Sequence, residues 1–242
     1  MKLIVLIYRW FIAFLLMTVT GLLSLILIFL SLGYLRNFCA KYIMSKSSRL
    51  ILRLMGFKGV FPKKDELPDY PVMYTFNHNS NLDVFLLTGL GLANARFILS
   101  KNTYKFVPLV IAAKAIGTFY IPDAKKDEKR ILFFKRVTKF LQKRKMSIVA
   151  SSEGVHEWSH GIAPFNKGVY HMAIEAKLPI VALYIHIPEI NNPMRGKKEA
   201  KGGTINIEYL KEFDTTDWNL DNLLDNIDIV RSEFVKRFEE LN

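Results

Sequence analysis

A short polar turn joins a strand pattern to a helix pattern in PVMYTFNHNSNLDVFLL, residues 71–87. The first seven residues are mostly apolar and β-prone, which is typical of a buried strand. Asn79, Ser80 and Asn81 belong to the residue types that begin helices. This stretch therefore predicts a strand that ends near residue 77, followed by a helix that begins near residue 81.

The same alternation of strand and helix continues through the rest of the chain. Further buried strands are predicted at residues 95–100, 115–121, 146–151, 179–187 and 203–210. Further helices are predicted near residues 104–114, 125–145, 167–177 and 217–241. The order predicts an α/β fold with a mixed sheet flanked by helices. Residues 191–203, between the last two strands, are predicted to form an exposed polar loop.

The polar turn places a histidine and an aspartate five residues apart, at His78 and Asp83. On a continuous helix this spacing would leave their side chains about 140° apart. The two side chains can meet if His78 ends the strand and Asp83 lies in the first turn of the helix. Asp83 would then accept the Nδ1 proton of His78, and Nε2 would act as a general base towards a substrate hydroxyl. The alternative is an ordinary helix cap with a histidine nearby.

A second motif, HEWSH at residues 156–160, matches the H-E-x-x-H pattern of zinc proteases. Both histidines of that pattern bind one metal ion only on a continuous helix. Gly154 and Gly161 flank the motif and leave barely two helical turns between them. A third zinc ligand could be proposed at His171 or Glu175, but nothing in the sequence marks either residue. A zinc hydrolase is therefore a disfavoured alternative.

The N-terminal region is uncharged over residues 11–35, which is long enough to cross a hydrocarbon core of about 30 Å. Residues 36–57 form an amphipathic pattern that suits the membrane interface, so spanning and interfacial insertion both stay open. More basic residues follow the uncharged run than precede it, which predicts a cytoplasmic position for the remainder. We predict N-terminal membrane-anchoring helices over residues 1–60 and an α/β domain over residues 61–242. The alternative for the N-terminal run is a buried helix of a soluble core.

The charge balance is strongly basic, with 34 Lys and Arg against 22 Asp and Glu and a net charge of +12. This surplus favours an anionic partner such as phospholipid head groups, an acidic carrier or a nucleic acid. Much of the positive charge lies on the predicted helix at residues 127–145, where a plain solvated surface is the alternative. No known nucleic-acid-binding motif accompanies the charge, so we predict a membrane lipid partner and no nucleic acid.

Four short segments follow one another in order over residues 72–183. They are NHNSNLD at 77–83, GTFYIPD at 117–123, EGVH with FNKG at 153–156 and 165–168, and LPIVA at 178–182. Their order and spacing resemble the lysophospholipid acyltransferases, in particular the 1-acylglycerol-3-phosphate acyltransferases. The matching family patterns are N-H-x-x-x-x-D, G-x-x-F-I-x-R, E-G-T-R with F-x-x-G, and V-P-I-V-P. On this reading the H-E-x-x-H match at residues 156–160 arises by chance.

The resemblance implies a glycerolipid acyltransferase-like fold and a membrane enzyme of phospholipid biosynthesis. The implied reaction moves an acyl chain from acyl-CoA or acyl-ACP, as co-substrate, to the hydroxyl of a lysophospholipid. The first acceptor implied is 1-acylglycerol-3-phosphate, which would give phosphatidic acid without a metal or further cofactor. Backbone N–H groups of the turn at residues 78–81 are candidate donors to the developing carbonyl charge.

The resemblance also implies a set of site residues. His78 and Asp83 are the implied catalytic pair. The implied substrate-binding residues are Asn77, Ser80, Lys101, Gly117, Phe119, Lys125, Lys126, Glu153, Gly154, His156, Lys167 and Gly168.

Two positions depart from the family pattern. Asp123 and His156 stand where the family uses arginines for the phosphate of the acceptor. Neither side chain offers the bidentate fork of arginine, although Lys125 and Lys126 are close enough in sequence to supply point charges. An acceptor with another head group, such as a phosphodiester lysolipid or a lyso-aminolipid, is therefore an alternative. A non-catalytic lipid-binding protein of the same fold is another, whereas the absence of a G-x-S-x-G motif disfavours a serine hydrolase.

Overall fold

The computed structural model describes residues 2–123, 127–154, 161–192 and 202–241, and within them seven strands form one sheet. The strands are β1 (Lys58–Val60), β2 (Met73–Phe76), β3 (Ala95–Ser100), β4 (Phe119–Ile121), β5 (Ser147–Ser151), β6 (Ile180–His186) and β7 (Thr204–Phe213). Their order across the sheet is β1-β7-β6-β2-β5-β3-β4. All neighbouring pairs are parallel except β6 and β7, so the sheet is mixed, as predicted.

Helices cover both faces of the sheet because most of the parallel strands are joined by helical crossovers. The helices are α1 (Lys2–Leu30), α2 (Arg36–Phe38), α3 (Ser45–Leu54), α4 (Asp83–Gly89), α5 (Val107–Ile116), α6 (Asp127–Arg144), α7 (Lys167–Ala176) and α8 (Leu223–Leu241). A π-helical segment, Cys39–Met44, joins α2 to α3.

Two apolar layers hold these helices to the sheet. One layer contains side chains of α1, α3, α4 and α5, including Met17, Leu52 and Leu86. The other contains side chains of α6, α7 and α8, including Val137 and Phe234. Because strands buried on both faces are apolar throughout, they appear in the sequence as continuous hydrophobic runs.

The N-terminal region forms an antiparallel helical hairpin of α1 against the segment from α2 to α3. The Cys39 thiol lies 3.9 Å from the Ser24 carbonyl oxygen, and the hydroxyls of Thr20 and Ser47 are 3.1 Å apart. In α1, residues 7–30 are apolar and long enough to cross a membrane, with 28% of the most apolar window buried within the protein. The division of the chain at residue 60 into membrane-anchoring helices and an α/β domain stays a prediction. Residues on both sides of that position share one apolar layer.

Some details differ from the sequence predictions. The strand predicted at residues 115–121 begins only at Phe119, because α5 continues to Ile116 and Gly117 ends that helix in a left-handed conformation. Strand β1 was not predicted, because its three residues are too few to show an alternating pattern; it pairs with residues 204–206 of β7. The loop predicted at residues 191–203 begins with two side chains that are buried rather than exposed, Asn191 and Asn192. Residues 193–201 of that loop lie outside the described residues.

Candidate active site

The side chains of His78 and Asp83 meet at the carboxyl end of β2. His78 follows the strand, and Asp83 is the first residue of α4. The Nδ1 atom of His78 lies 2.6 Å from Oδ2 of Asp83, which is hydrogen-bonding distance. The Asp83 side chain is 1% exposed and the His78 side chain 33% exposed. The histidine is therefore oriented by a buried acid while its ring still reaches solvent.

The turn between the two residues fixes the position of the carboxylate. Oδ2 of Asp83 also accepts hydrogen bonds from the backbone N–H groups of Asn79, at 3.0 Å, and Ser80, at 3.1 Å. The Ser80 hydroxyl in turn accepts from the N–H of Leu82 at 3.2 Å. These contacts give an Asn-Ser-Asn turn that brings residue 83 back towards residue 78, in agreement with the geometry predicted for it.

Two asparagines tie this turn to neighbouring segments. The Asn77 side chain donates to the Ile185 carbonyl at 2.9 Å and accepts from the Ile185 N–H at 2.7 Å, which links the end of β2 to β6. The Asn192 side chain is 1% exposed and donates to the Asn79 carbonyl at 3.0 Å. Both contacts stabilise the backbone that carries His78.

A second carboxylate, that of Glu153, approaches the histidine from the end of β5. Its Oε1 accepts the backbone N–H of His78 at 3.0 Å, and its Oε2 accepts that of Ala163 at 3.3 Å. Burial raises the pKa of Glu153, while these two backbone hydrogen bonds and the His78 side chain act in the opposite direction. Glu153 therefore holds the backbone of the base and places negative charge beside it.

Hydrogen bonds from neighbouring segments hold the residues around Glu153 in place. Ser152 hydrogen-bonds through its hydroxyl to Thr75 of β2 and, at 2.8 Å, to the Tyr170 hydroxyl of α7. The Asn166 side chain donates to the carbonyls of Ser152, at 3.2 Å, and Glu153, at 2.8 Å. Gly154 has a φ of 75°, and an added Cβ would lie 2.6 Å from Nδ2 of Asn166. Glycine is thus required both by the left-handed backbone and by this close approach.

The protonation of His78 depends on both carboxylates. Burial by itself would lower the pKa of His78, but the hydrogen bond and charge of Asp83 and the charge of Glu153 outweigh it. The pKa of His78 is therefore raised above its ordinary value. An imidazole in this setting accepts a proton readily and is stabilised once it is charged.

Comparison with known proteins identifies the family of this chain. The family model described as acyltransferase matches residues 60–186, just over half of the chain.

The chain belongs to the acyltransferase family.

All four motif segments of this acyltransferase lie inside the matched region, so the resemblance inferred from them is confirmed. The chain is 22% identical to a 1-acyl-sn-glycerol-3-phosphate acyltransferase of Cocos nucifera over 80% of its own length and 62% of that protein. It is 24% identical to the protein of the same name in Saccharomyces cerevisiae, over 84% of its own length and 67% of that protein. The chain thus spans about three fifths to two thirds of the length of these curated relatives.

A solved structure has the same fold. The 1-acyl-sn-glycerophosphate acyltransferase PlsC of Thermotoga maritima superposes with a TM-score of 0.78 at 18% identity. The superposition covers 99% of this acyltransferase and 95% of the other chain. The predicted α/β fold with a mixed sheet and flanking helices is confirmed by this match.

The structure brings some predicted site residues together at one edge of the sheet. Asn77, Ser80, Glu153 and Gly154 surround the His78–Asp83 pair through the contacts described above. Lys101 follows the carboxyl end of β3 and Lys167 begins α7, and both are exposed at the same edge. These two lysines are the cations of the predicted set that the described structure places on the His78 side.

Three other predicted residues are positioned by packing. Gly117 precedes β4 and therefore lies at the opposite edge of the sheet from His78. The Phe119 ring packs edge-on against Phe140 of α6, with centroids 5.2 Å apart. A Cβ added at Gly168 would lie 2.8 Å from Cζ of Phe134, so this glycine allows α7 to approach α6. Lys125, Lys126, His156 and the HEWSH motif at residues 156–160 lie outside the described residues.

The predicted donors to the carbonyl charge are already engaged. In the turn at residues 78–81, the N–H of His78 donates to Glu153, and those of Asn79 and Ser80 donate to Asp83. The assignment of these three groups as oxyanion donors is therefore wrong, because each serves a carboxylate of the site.

Sequence reasoning missed two residues that support the site, Asn166 and Asn192. Asn166 stands directly before α7, where an asparagine suggests an ordinary helix cap, yet its side chain makes no cap hydrogen bond. Asn192 begins a polar stretch that resembles an exposed loop. No local sequence pattern identifies the hydrogen-bond partner of either residue, because that partner lies 13 or more residues away along the chain.

Proposed function

We propose that this chain is a membrane-associated O-acyltransferase that moves an acyl chain from a thioester of coenzyme A or acyl carrier protein to a lysophospholipid hydroxyl. The observation that carries this proposal is the buried Asp83 carboxylate, 2.6 Å from Nδ1 of a partly exposed His78. Family membership supports it, as do the activities named for the relatives in Cocos nucifera and Saccharomyces cerevisiae.

The pair can perform the proton transfers that the reaction requires. Nε2 of His78 takes the proton of the lipid hydroxyl as its oxygen attacks the thioester carbonyl carbon. The carbon–sulfur bond then breaks, and the imidazolium returns the proton to the departing thiolate. Asp83 stabilises the imidazolium between these steps and holds the ring in the tautomer that directs Nε2 outward. The nucleophile is the substrate itself, so no acyl-enzyme is needed.

The acceptor proposed first is 1-acylglycerol-3-phosphate, the compound in the names of the relatives. Lys101 and Lys167 would supply positive charge for its phosphate at the His78 edge of the sheet. Asp123, which follows β4, is exposed and acidic where the family pattern has arginine. A lysolipid with a phosphodiester or amino-lipid head group is therefore the acceptor to test beside it.

We also propose that the helical hairpin inserts into one side of the bilayer instead of crossing it. The segment from α2 to α3 packs antiparallel along α1 and carries exposed Lys46 and Arg53. A spanning α1 would take these charges into the hydrocarbon, which is costly. The outward side of α1 and the connecting turn carry many exposed apolar side chains, among them Phe29, Leu32 and Tyr34. The excess of basic residues after the uncharged run supports a cytoplasmic location for the catalytic region.

The decisive experiment measures thioester consumption by the purified chain against a panel of lysolipids, with mass spectrometry of the products. His78→Ala is expected to lower kcat by at least about a hundredfold, because the general base is lost. His171→Ala, which removes a half-buried histidine of α7, is the matched control and should retain activity. Wild-type turnover by His78→Ala would contradict the assigned base, and no turnover with any thioester and acceptor would contradict the function.

A further inference from the structure

Two arginine side chains meet against Gly117, at the edge of the sheet where the parallel strands begin. Arg36 comes from α2 and Arg96 from β3. A Cβ added at Gly117 would lie 2.7 Å from Nε of Arg96 and 3.3 Å from Nη1 of Arg36. Gly117 also has a φ of 77° at the end of α5. The glycine therefore leaves the space that both guanidinium groups occupy.

Neither guanidinium has an acidic partner within the described parts of the chain. Arg96 is 8% exposed, and its described hydrogen bond goes to the carbonyl of Ala95, at 2.8 Å. Arg36 donates to the carbonyls of Lys114, at 2.9 Å, and Ala115, at 3.1 Å. Buried charges in proteins are normally paired with an opposite charge, because removing them from water is costly.

The end of α5 compensates for only part of this charge. The carboxyl terminus of a helix carries roughly half a negative charge, and Arg36 already uses two of its carbonyls. The positive groups beside this helix end are two guanidinium groups and the exposed Lys114. Burial and the charge of Arg36 lower the pKa of Arg96 to about 10. The cluster thus keeps a net positive charge, with Arg96 buried and Arg36 half-buried.

This cluster lies far from the candidate active site. In the register of the sheet, Arg96 pairs with Ile148 of β5, and Ile148 pairs with Met73 of β2. Met73 lies five residues before His78 in the sequence. Five residues of strand correspond to roughly 16 Å, and β3 is separated from β2 by a further strand. An acceptor phosphate positioned for His78 therefore cannot also contact Arg96.

We propose that Arg36 and Arg96 bind the phosphate group of an anion, and that a membrane phospholipid supplies it. Arg36 is the first charged residue after the uncharged run that begins after Arg9, and the neighbouring Tyr34 and Phe38 are exposed. A head group at the bilayer surface would lie beside these side chains. Paired guanidinium groups suit phosphate because each presents a planar fork of N–H donors.

The test measures ligand-dependent thermal stability of the full chain in neutral detergent, in the His78→Ala background so that binding is read without turnover. One titration uses short-chain phosphatidylglycerol, a second inorganic phosphate at matched ionic strength, and a third the diacylglycerol of the same chains. Phosphatidylglycerol is expected to raise Tm in a saturable manner, whereas diacylglycerol is not. Arg96→Gln and Arg36→Gln should each weaken this binding at least tenfold.

Arg53→Gln is the matched control, since it removes the same charge from an exposed position of α3. Its lipid titration should stay within about twofold of the parent. Inorganic phosphate alone could raise Tm in the parent but not in Arg36→Gln or Arg96→Gln. That result would support the anion site and show that free phosphate fills it without a lipid. Unchanged titrations in Arg36→Gln and Arg96→Gln, or no saturable rise with either ligand, would overturn the proposal. If Arg96→Gln does not fold, Arg36→Gln decides by the same criterion.

Discussion

His78 interacts with two carboxylates that act on different atoms of the residue. Asp83 bonds to the ring and is almost fully buried, whereas Glu153 bonds to the backbone N–H and contributes mainly through its charge. Changes at the two acids should therefore have separable consequences, one for ring orientation and one for the pH at which the ring titrates.

Asp83→Asn should lower kcat by at least about a hundredfold, because an amide can donate to Nδ1 and favour the wrong tautomer. The measurement is steady-state acyl transfer, together with Tm to show that the fold is kept. Asp225→Asn, the same change at an exposed position of α8, should leave both unchanged. Full activity in Asp83→Asn would mean that the acid does not orient the base.

The raised pKa of His78 predicts the acid side of the pH profile. A general base must be neutral, so kcat/KM should rise with pH through an apparent pKa above the ordinary histidine value of about 6.5. Glu153→Gln removes a negative charge that raises this pKa, and the rise should therefore move to lower pH. Glu175→Gln on α7, with the same change at an exposed site, should not move it. A shift to higher pH in Glu153→Gln would contradict the assigned electrostatics.

At the scale of the elements, Gly168 marks a close approach between α6 and α7. Because the contact is tight, Gly168→Ala must displace the Phe134 ring. Overpacking of this kind typically costs about 1–3 kcal/mol, which thermal unfolding would report as a fall in Tm of several degrees. Lys167→Ala changes the adjacent exposed residue and should shift Tm very little. An unchanged Tm in Gly168→Ala would show that the ring moves freely.

The elements predicted from the sequence were those with a strong local pattern. The strands before His78 and Glu153 are continuous apolar runs, and the His78–Asp83 pair depends on one turn, so both could be predicted. The hydrogen bond between Glu153 and the backbone of His78 joins residues 75 positions apart and depends on the pairing of β2 with β5. The same limit applies to Gly117, because its partners Arg36 and Arg96 come from distant elements.

At the scale of the whole molecule, the apolar turn of the N-terminal hairpin is the part that should enter the bilayer. Replacement of Phe29, Leu32 and Tyr34 by Ser should weaken binding to anionic vesicles at least tenfold, since buried apolar side chains contribute about 1.5–3 kcal/mol each. All three are more than 80% exposed, so Tm should not change. Leu220→Ser, at an exposed site before α8, is the control for co-sedimentation. Undiminished binding of the triple variant would place the membrane contact elsewhere.

The pairing of β1 with β7 also has a consequence for biosynthesis. The hairpin leaves the ribosome before the sheet does, and residues 58–60 have to wait for residues 204–206 before they gain a hydrogen-bonded neighbour. At about 5–20 residues per second, the delay is on the order of ten seconds. During that interval the nascent chain can already be held at the lipid surface, and the arrival of β7 then completes the border of the sheet beside the N-terminal hairpin.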